Sequence, residues 1–389
     1  MSSRGNLRHG WCWVKFGEVV RLSRERSQKP LDDGFERYVG LEHLDPEDLR
    51  VRRWGDIADG TTFTNLFRAG QVLFGKRRAY QRKVGVADFA GVCSGDIYVL
   101  ESANAATLLP ELLPFLCQTD AFFEYAVGTS AGSLSPRTNW NSLAAFEFAL
   151  PPLDAQRRMV EALSAADHAR VSTEQCVEHA RLLLAAAMDH AWSEGCPRTA
   201  LGDLAVSITS GSRGWAAHYA EDGRAKFLRI GNLRRGSIHL DSSDLQRVEP
   251  PSTLEAERTR VRTGDLLLSV TAELGLVAVA PRNLGEAYVN QHIALIHVDP
   301  TKVDPHYVAW FLCSRAGQRQ IQRFNDAGAK AGMNLPAVAG LQIPLCEPEQ
   351  QLVIRDRLAS LENAQTKLLA EAQDLREIGV ALLKSVMES

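Results

Sequence analysis

Two stretches of the chain repeat apolar side chains with steps that alternate between four and three residues. In the first the ladder runs Met159, Leu163, Ala166, Arg170, Thr173, Val177, Ala180, Leu184, Ala187 and Ala191. In the second it runs Ile354, Leu358, Leu361, Gln365, Leu368, Ala372, Leu375, Gly379, Leu382 and Val386. A 3.5-residue period held over about five heptads predicts coiled-coil helices. No proline interrupts either stretch between Pro152 and Pro197 or after Pro348. Each ladder carries a polar side chain at its fourth rung, Arg170 or Gln365, a device that sets register. Two separate amphipathic helices on their own domains would also show such ladders. Equal length and matched rungs favour the pairing of the two helices with each other. Elsewhere the apolar positions form short runs bounded by Gly, Pro and polar residues, as in α+β globular domains. The expected partition is a first domain over 1–153, a helix over 154–195, a second domain over 196–346 and a helix over 347–389.

The short apolar runs recur in order. FRAGQVLF (67–74) returns as VRTGDLLL (261–268): a basic residue, a spacer, Gly, an amide or acid, then a strand. SGDIYVLE (94–101) is matched by NQHIALIH (290–297), and LLPFLCQ (112–118) by VAWFLCS (308–314). FEFALPPLDAQRRMVEAL (146–163) pairs with AGLQIPLCEPEQQLVIRDRL (339–358). VKFGEVV (14–20) resembles RTALGDLA (198–205), and YVGLEHL (38–44) resembles FLRIGNL (227–233). Six segments in preserved order predict an internal repeat with a pseudo-twofold relation. The fold class expected is α+β: two similar globular domains separated by two long antiparallel helices that form a coiled coil.

Composition changes this picture little. The chain has 389 residues, 45% hydrophobic and 23% charged, as in soluble globular proteins. No apolar run is long enough for a membrane span, and MSSRGNLRHGWCW lacks the apolar stretch of a secretory signal. The seven cysteines are scattered without a C-x-x-C pair, and this odd set reads as unpaired thiols in a reducing cytoplasm. Cys93, Cys117 and Cys313 sit in apolar contexts and read as core residues. His168, His179 and His190 recur every eleven residues on one helix face, about 16 Å apart, too far for one metal ion.

Charge matters more. The segments 154–195 and 347–389 hold 4 basic with 7 acidic and 5 basic with 8 acidic side chains, so each is at −3. The total of −3 then leaves the two globular segments together at +3. Arg68, Lys76, Arg77, Arg78, Arg82 and Lys83 lie in a stretch without an acid. Arg224, Lys226, Arg229, Arg234 and Arg235 lie in another, 224–240. Such runs, interleaved with Tyr, Asn, Gln and Ser, are the local footprint of phosphate and base-edge contacts, although a solvated basic face looks the same. GQVLFGK (70–76) has the spacing of a phosphate-binding loop but is followed by Arg77 in place of the magnesium-holding Ser or Thr. Its counterpart GDLLLSV has neither the second Gly nor the Lys, so the match is incidental.

Two similar domains on paired helices would make a ruler with a reading head at each end. A helix of roughly 40 residues spans about 60 Å at 1.5 Å per residue, enough to set two half-sites apart on DNA. The chain resembles the specificity subunit of Type I restriction–modification enzymes. The residues that carry this are GKRRAYQRKVGVADFAGVCSGDIYVLE (75–101), SLSPRTNWNSLAAFEFALPPLDAQRRMV (133–160), ITSGSRGW (208–215), FLRIGNL (227–233) and IPLCEPEQQLVI (343–354). The second half has IPLCEPEQ where the first has LPPLDAQ, which leaves the start of the second helix open.

The resemblance implies two target-recognition domains and a non-catalytic, cytoplasmic DNA-binding chain. It would recruit two modification subunits that methylate adenine with S-adenosylmethionine, and restriction subunits that use ATP and Mg. No cofactor is expected on this chain itself. The sequence contains no [ND]-P-P-[YF] methylation motif, no G-x-G cofactor loop with a suitable acid and no complete phosphate loop. For the first domain the candidate contacts with double-stranded DNA are Lys76, Arg77, Arg78, Tyr80, Gln81, Arg82 and Lys83, with Arg137, Thr138 and Asn139 as a second loop. Trp140 beside them reads better as a buried structural residue. For the second domain they are Thr209, Ser210, Gly211, Ser212 and Arg213, a Gly/Ser loop suited to phosphate, with Arg229, Arg234 and Arg235. The competing class is a coiled-coil adaptor protein without DNA readout.

Overall fold

The structure, a computed structural model, describes residues 7–192, 196–324 and 332–387. It divides into two compact units, one of residues 1–173 with 371–389 and one of residues 174–370. Each unit therefore takes in part of both long helices, Leu153–His190 and Pro348–Met387.

The first unit is built on an antiparallel sheet in the order Val20–Leu22, Ile97–Ser102, Val72–Gly75, Val84–Val86. A second sheet orders Gly55–Asp56, Arg37–Val39, Gly91–Cys93 and Asn65–Phe67, with the two middle strands parallel. A two-stranded ribbon pairs Cys12–Lys15 with Glu147–Leu150. Val72, Leu73 and Phe74 are almost wholly buried and point to both faces of their sheet. That two-sided burial is why this strand reads as a continuous apolar run.

The second unit repeats the plan. Its antiparallel sheet runs Ala205–Ser210, Ile293–Val298, Leu266–Ser269, Val277–Val279. Its parallel pair is Ala225–Leu228 with Ala287–Val289, and its ribbon pairs Arg198–Ala200 with Gln342–Pro344. Register agrees as well as order. Val72 faces Leu100 as Leu266 faces Ile296, and Gly75 faces Ile97 as Ser269 faces Ile293.

The recurring sequence features are the joints of this plan. Gly70 and Gly264 both adopt left-handed φ, +84° and +85°, where glycine alone is unstrained. Ahead of them the Arg68 N–H donates to Gln71 Oε1 at 2.8 Å and the Arg262 N–H to Asp265 Oδ2 at 2.6 Å. This explains the amide or acid after the glycine. Each parallel strand ends in a short 3₁₀ turn: the Gly40 N–H donates to His43 Nδ1 at 3.0 Å, and the Arg229 N–H to Asn232 Oδ1 at 2.9 Å.

The start of each long helix is held by a buried glutamine. The Leu109 N–H donates to Gln156 Oε1, whose amide donates to the Thr107 and Pro151 carbonyls at 2.8 and 2.9 Å. Gln351 accepts from the Asp304 N–H and donates to the Cys346 carbonyl at 2.8 Å. The two helices begin at Leu153 and Pro348, three residues before these glutamines in each case. Gln156→Ala or Gln351→Ala strands two or three buried backbone groups and is expected to cost about 2–4 kcal/mol. Urea denaturation of each variant measures this, and a loss below about 1 kcal/mol would remove the clamp role.

No ladder position is exposed on either helix, from Met159 to Ala191 and from Ile354 to Leu382; the side chain of Val386 lies outside the described residues. In the first unit Met159, Val160 and Leu163 share a core with Leu382 and Leu383. In the second unit Leu184 and Met188 share a core with Ile354, Leu358 and Leu361. Opposite ends meet in each case, so the helices are antiparallel.

Glu362 of the second helix is nearly buried, accepts from Ser237 Oγ at 2.9 Å and lies 2.8 Å from His239 Nε2. The hydrogen bond to Glu362 raises the His239 pKa above its ordinary value, against the desolvation of the ring. A raised histidine stabilises the fold fully below its unfolded pKa, about 6.5, and ceases to do so as pH rises through the folded value. Burial lowers the pKa of His306, which acts in the opposite sense. The expected readout is therefore a difference: His239→Gln is destabilising near pH 6, and the gap to wild type narrows towards pH 9. A pH-independent gap would count against the pair.

The cysteine reading is corrected in one respect. Cys196 and Cys346 form a disulfide across 150 residues, with Cα atoms 5.1 Å apart. Strand register brings them together: Arg198 faces Pro344, and the Leu345 N–H donates to the Pro197 carbonyl. Residues 196 and 346 are the next opposed pair. The other five are free, with Cys93 and Cys117 buried and Cys313 partly so. Burial pushes the Cys93 and Cys313 thiols up to about 12, as core residues.

Candidate nucleic-acid interface

In the first unit the two candidate loops meet. Arg77 and Arg137 form an antiparallel bridge at the tip of the hairpin between Val72–Gly75 and Val84–Val86. The Thr138 N–H donates to the Lys76 carbonyl at 3.0 Å and the Arg78 N–H to the Pro136 carbonyl at 2.7 Å. Arg78 and Arg82 both take left-handed φ, 54° and 53°, on either side of the 3₁₀ turn Ala79–Gln81. Non-glycine residues in that region concentrate at functional sites.

The charges here are less free than the run of letters suggests. Asp96 accepts from Arg137 Nε at 2.7 Å and from Arg77 Nη1 at 3.3 Å. These guanidiniums, Arg137 first, hold the Asp96 carboxyl below its ordinary value. Arg82 pairs with Asp120 at 2.8 Å and lies over the Phe123 ring, while Lys83 Nζ donates to the Leu41 carbonyl at 2.6 Å. Lys76 Nζ sits 4.7 Å from the Tyr98 ring centre, and Arg78 Nη2 donates to Ser135 Oγ at 3.3 Å. Among the described residues, Lys76 and Arg78 have no carboxylate within ion-pair distance. Tyr80 is 56% exposed and Gln81 is half-buried at the same tip.

Two of the loop candidates serve the fold. Thr138 is 1% exposed, with its hydroxyl 3.5 Å from that of Thr129. Asn139 caps the helix Trp140–Ala144 by accepting from the Ser142 N–H at 2.8 Å. Trp140 packs at 6.3 Å from both Phe16 and Tyr98, a structural placement. Asp96, Tyr98 and Ser135, which organise this tip, carried no charge-run signal of their own.

In the second unit the Gly/Ser loop is not an open cradle. Thr209 and Ser212 are buried, and the Arg258 guanidinium hydrogen-bonds the Thr209 hydroxyl and the Ser210 carbonyl. A Cβ on Gly211 would lie 2.0 Å from the Val289 carbonyl oxygen, so this glycine permits strand contact. Arg213 alone of the loop is an exposed cation. The basic run beyond it is again paired: Arg229 with Asp244 at 3.1 Å, Arg234 with Asp241, and Arg235 with Glu273 at 3.0 Å. The two basic runs also occupy different places in the repeat. One lies on the hairpin tip, the other along and after the parallel strand Ala225–Leu228. They are therefore not a duplicated feature. Among the described residues, no helix is long and apolar enough to cross a membrane.

No protein-family model matches the chain. Its sequence is 26% identical over 164 residues to the Type I restriction enzyme EcoDI specificity subunit of Escherichia coli. That match covers 40% of this chain and spans 34% of the length of that subunit. A chain from a structure concerned with complex assembly and conformational transition of the type I R-M system superposes with a TM-score of 0.62. It is 20% identical, over 98% of this chain and 99% of that one. The S subunit of a Type-I restriction-modification system from M. genitalium also gives 0.62, at 12% identity over 100% and 99%. Two similar α+β units, paired long helices and these likenesses converge: the chain has the fold of a Type I restriction–modification specificity subunit and resembles one in sequence over 164 residues.

Proposed function

We propose that the chain is the non-catalytic, DNA-binding specificity subunit of a Type I restriction–modification complex. It reads a split, asymmetric target, one half-site per unit, and recruits two modification subunits and the restriction subunits. The observation that carries this reading is the contrast within the repeat. The main four-stranded sheets of the two units keep the same strand order and register, while the side chains on the loops differ in charge and type. Identical frames with different tips suit two heads that read different base sequences, since base-edge contacts specify and the frame only positions them. S-adenosylmethionine, ATP and Mg belong, in this reading, to the partner subunits.

Methylome sequencing with and without the gene tests the proposal. The expected result is a split adenine-methylation motif that disappears when the gene is removed. Unchanged methylation would favour the adaptor reading instead. Exchange of residues 1–153 for the corresponding segment of a relative should change one half of the motif and leave the other. A change in both halves would sink the assignment of one head to one half-site.

A further inference from the structure

The repeat places a second hairpin tip in register with the basic tip of the first unit, at residues that charge did not mark. Leu266–Ser269 pairs with 293–296 as Val72–Gly75 pairs with 97–100. Thr271 thus stands where Arg77 does, Ala272 where Arg78 does, and His292 where Asp96 does. Three features of the backbone agree. Ala272 has a left-handed φ of 60°, matching 54° at Arg78. Thr271 bridges Gly332 as Arg77 bridges Arg137. The Met333 N–H donates to the Val270 carbonyl at 2.8 Å, as the Thr138 N–H does to Lys76. The next residue in each case, Asn334 or Asn139, caps a five-residue helix.

The chemistry at the two tips differs. The first presents Lys76, Arg77 and Arg78; the second has Val270, Thr271, Ala272, Glu273 and Leu274, with no cation of its own. Thr271 Oγ1 lies 2.5 Å from His292 Nδ1, and Gln291 Nε2 lies 2.8 Å from His292 Nε2. Arg235 lies against this tip through Glu273 and the Leu274 carbonyl, and is the one candidate from the basic run that does so.

We infer that Thr271, Gln291 and His292 form the base-reading group of the second unit, in place of the Gly/Ser loop 209–213. This rests on the DNA-reading role proposed above. A glutamine amide matches the paired donor and acceptor of adenine in the major groove, and a hydroxyl or imidazole takes single donors or acceptors there. The three side chains are held to one another before any ligand arrives, which keeps their ordering cost low. Polar groups read bases without adding phosphate attraction, so this unit discriminates more than it attracts.

Selection by the full chain from a pool of randomised duplexes tests this. The wild-type chain is expected to return a two-part motif. Gln291→Ala with His292→Ala should keep one part and lose about ten-fold or more of the preference at each base formerly contacted in the other. Thr271→Arg with His292→Asp rebuilds the Arg77–Asp96 pair on the second frame. It is expected to select different bases in that same part, with a melting temperature close to wild type, and it carries the test if the alanine variant is unstable. Wild-type motifs from both variants would overturn the inference and leave the two-head reading standing. A wild-type chain that selects no motif would remove the DNA-reading role itself, and the inference with it.

Discussion

Reduction of the Cys196–Cys346 disulfide is expected to lower the melting temperature of the second unit and leave the first unchanged. The bond closes a span of 150 residues. A cross-link of that length restricts the unfolded chain by about 5 kcal/mol on the chain-entropy account. In a unit of this size each kcal/mol moves the midpoint by about 2–4 °C, so the shift is on the order of 10–20 °C. The first unit supplies the control. Its ribbon pairs Cys12 with Leu150, so the next opposed pair is Trp11 and Pro151, and no covalent link is possible there. Calorimetry with and without dithiothreitol should show one transition moving and one standing still. Cys196→Ser with Cys346→Ser should melt at the lower temperature in both buffers. A reductant-insensitive thermogram, or seven titratable thiols in unreduced denatured protein, would contradict the bond.

Removal of Lys76 and Arg78 together should weaken binding to every duplex, whatever its sequence. Neither has a carboxylate within ion-pair distance among the described residues, and neither is drawn to a backbone carbonyl as Lys83 is to that of Leu41. If each meets a phosphate, the double alanine variant loses about 1.5 kcal/mol or more per contact, roughly a hundred-fold in affinity. The slope of log affinity against log salt should fall by about 1.8, since each phosphate neutralised in duplex DNA contributes about 0.9. Arg77→Ala should act more mildly, because Arg77 shares Asp96 with Arg137 and its charge is already balanced in part. Fluorescence anisotropy across a salt series separates these cases. An unchanged slope in the double variant would take the tip out of the phosphate interface.

What could be read from the letters followed from local periodicity. The ladders from Met159 and Ile354 predicted the faces that the helices bury. The turn before each central strand was visible because Gly70 and Gly264 need φ > 0, and because Gln71 and Asp265 must receive a backbone N–H. The segments LPPLDAQ and IPLCEPEQ marked the approach to each long helix, but the second start was left open, and nothing local revealed that Gln156 and Gln351 are the buried amide clamps. The sequence concealed whatever depends on register between distant strands. Cys196 finds Cys346 only once Arg198 faces Pro344. The counter-charges Asp96, Asp120 and Glu273 lie 19 to 41 residues from the arginines they neutralise, so a run of basic letters overstated the free positive charge. Ser and Gly at 209–213 suggested a phosphate cradle, but close packing against Val289 uses the same residues. The tip at Thr271 was silent because polar, uncharged residues leave no compositional trace.

The first unit is assembled from two separated segments, residues 1–173 and 371–389, whereas the second is continuous. On the ribosome the second unit can close as soon as residue 370 has emerged. The first must wait with Met159, Val160 and Leu163 uncovered until Leu382 and Leu383 arrive to complete its core. A stop codon soon after residue 370 would thus injure the unit built mainly from residues 1–173, and that unit would need a chaperone for longer than the one synthesised after it.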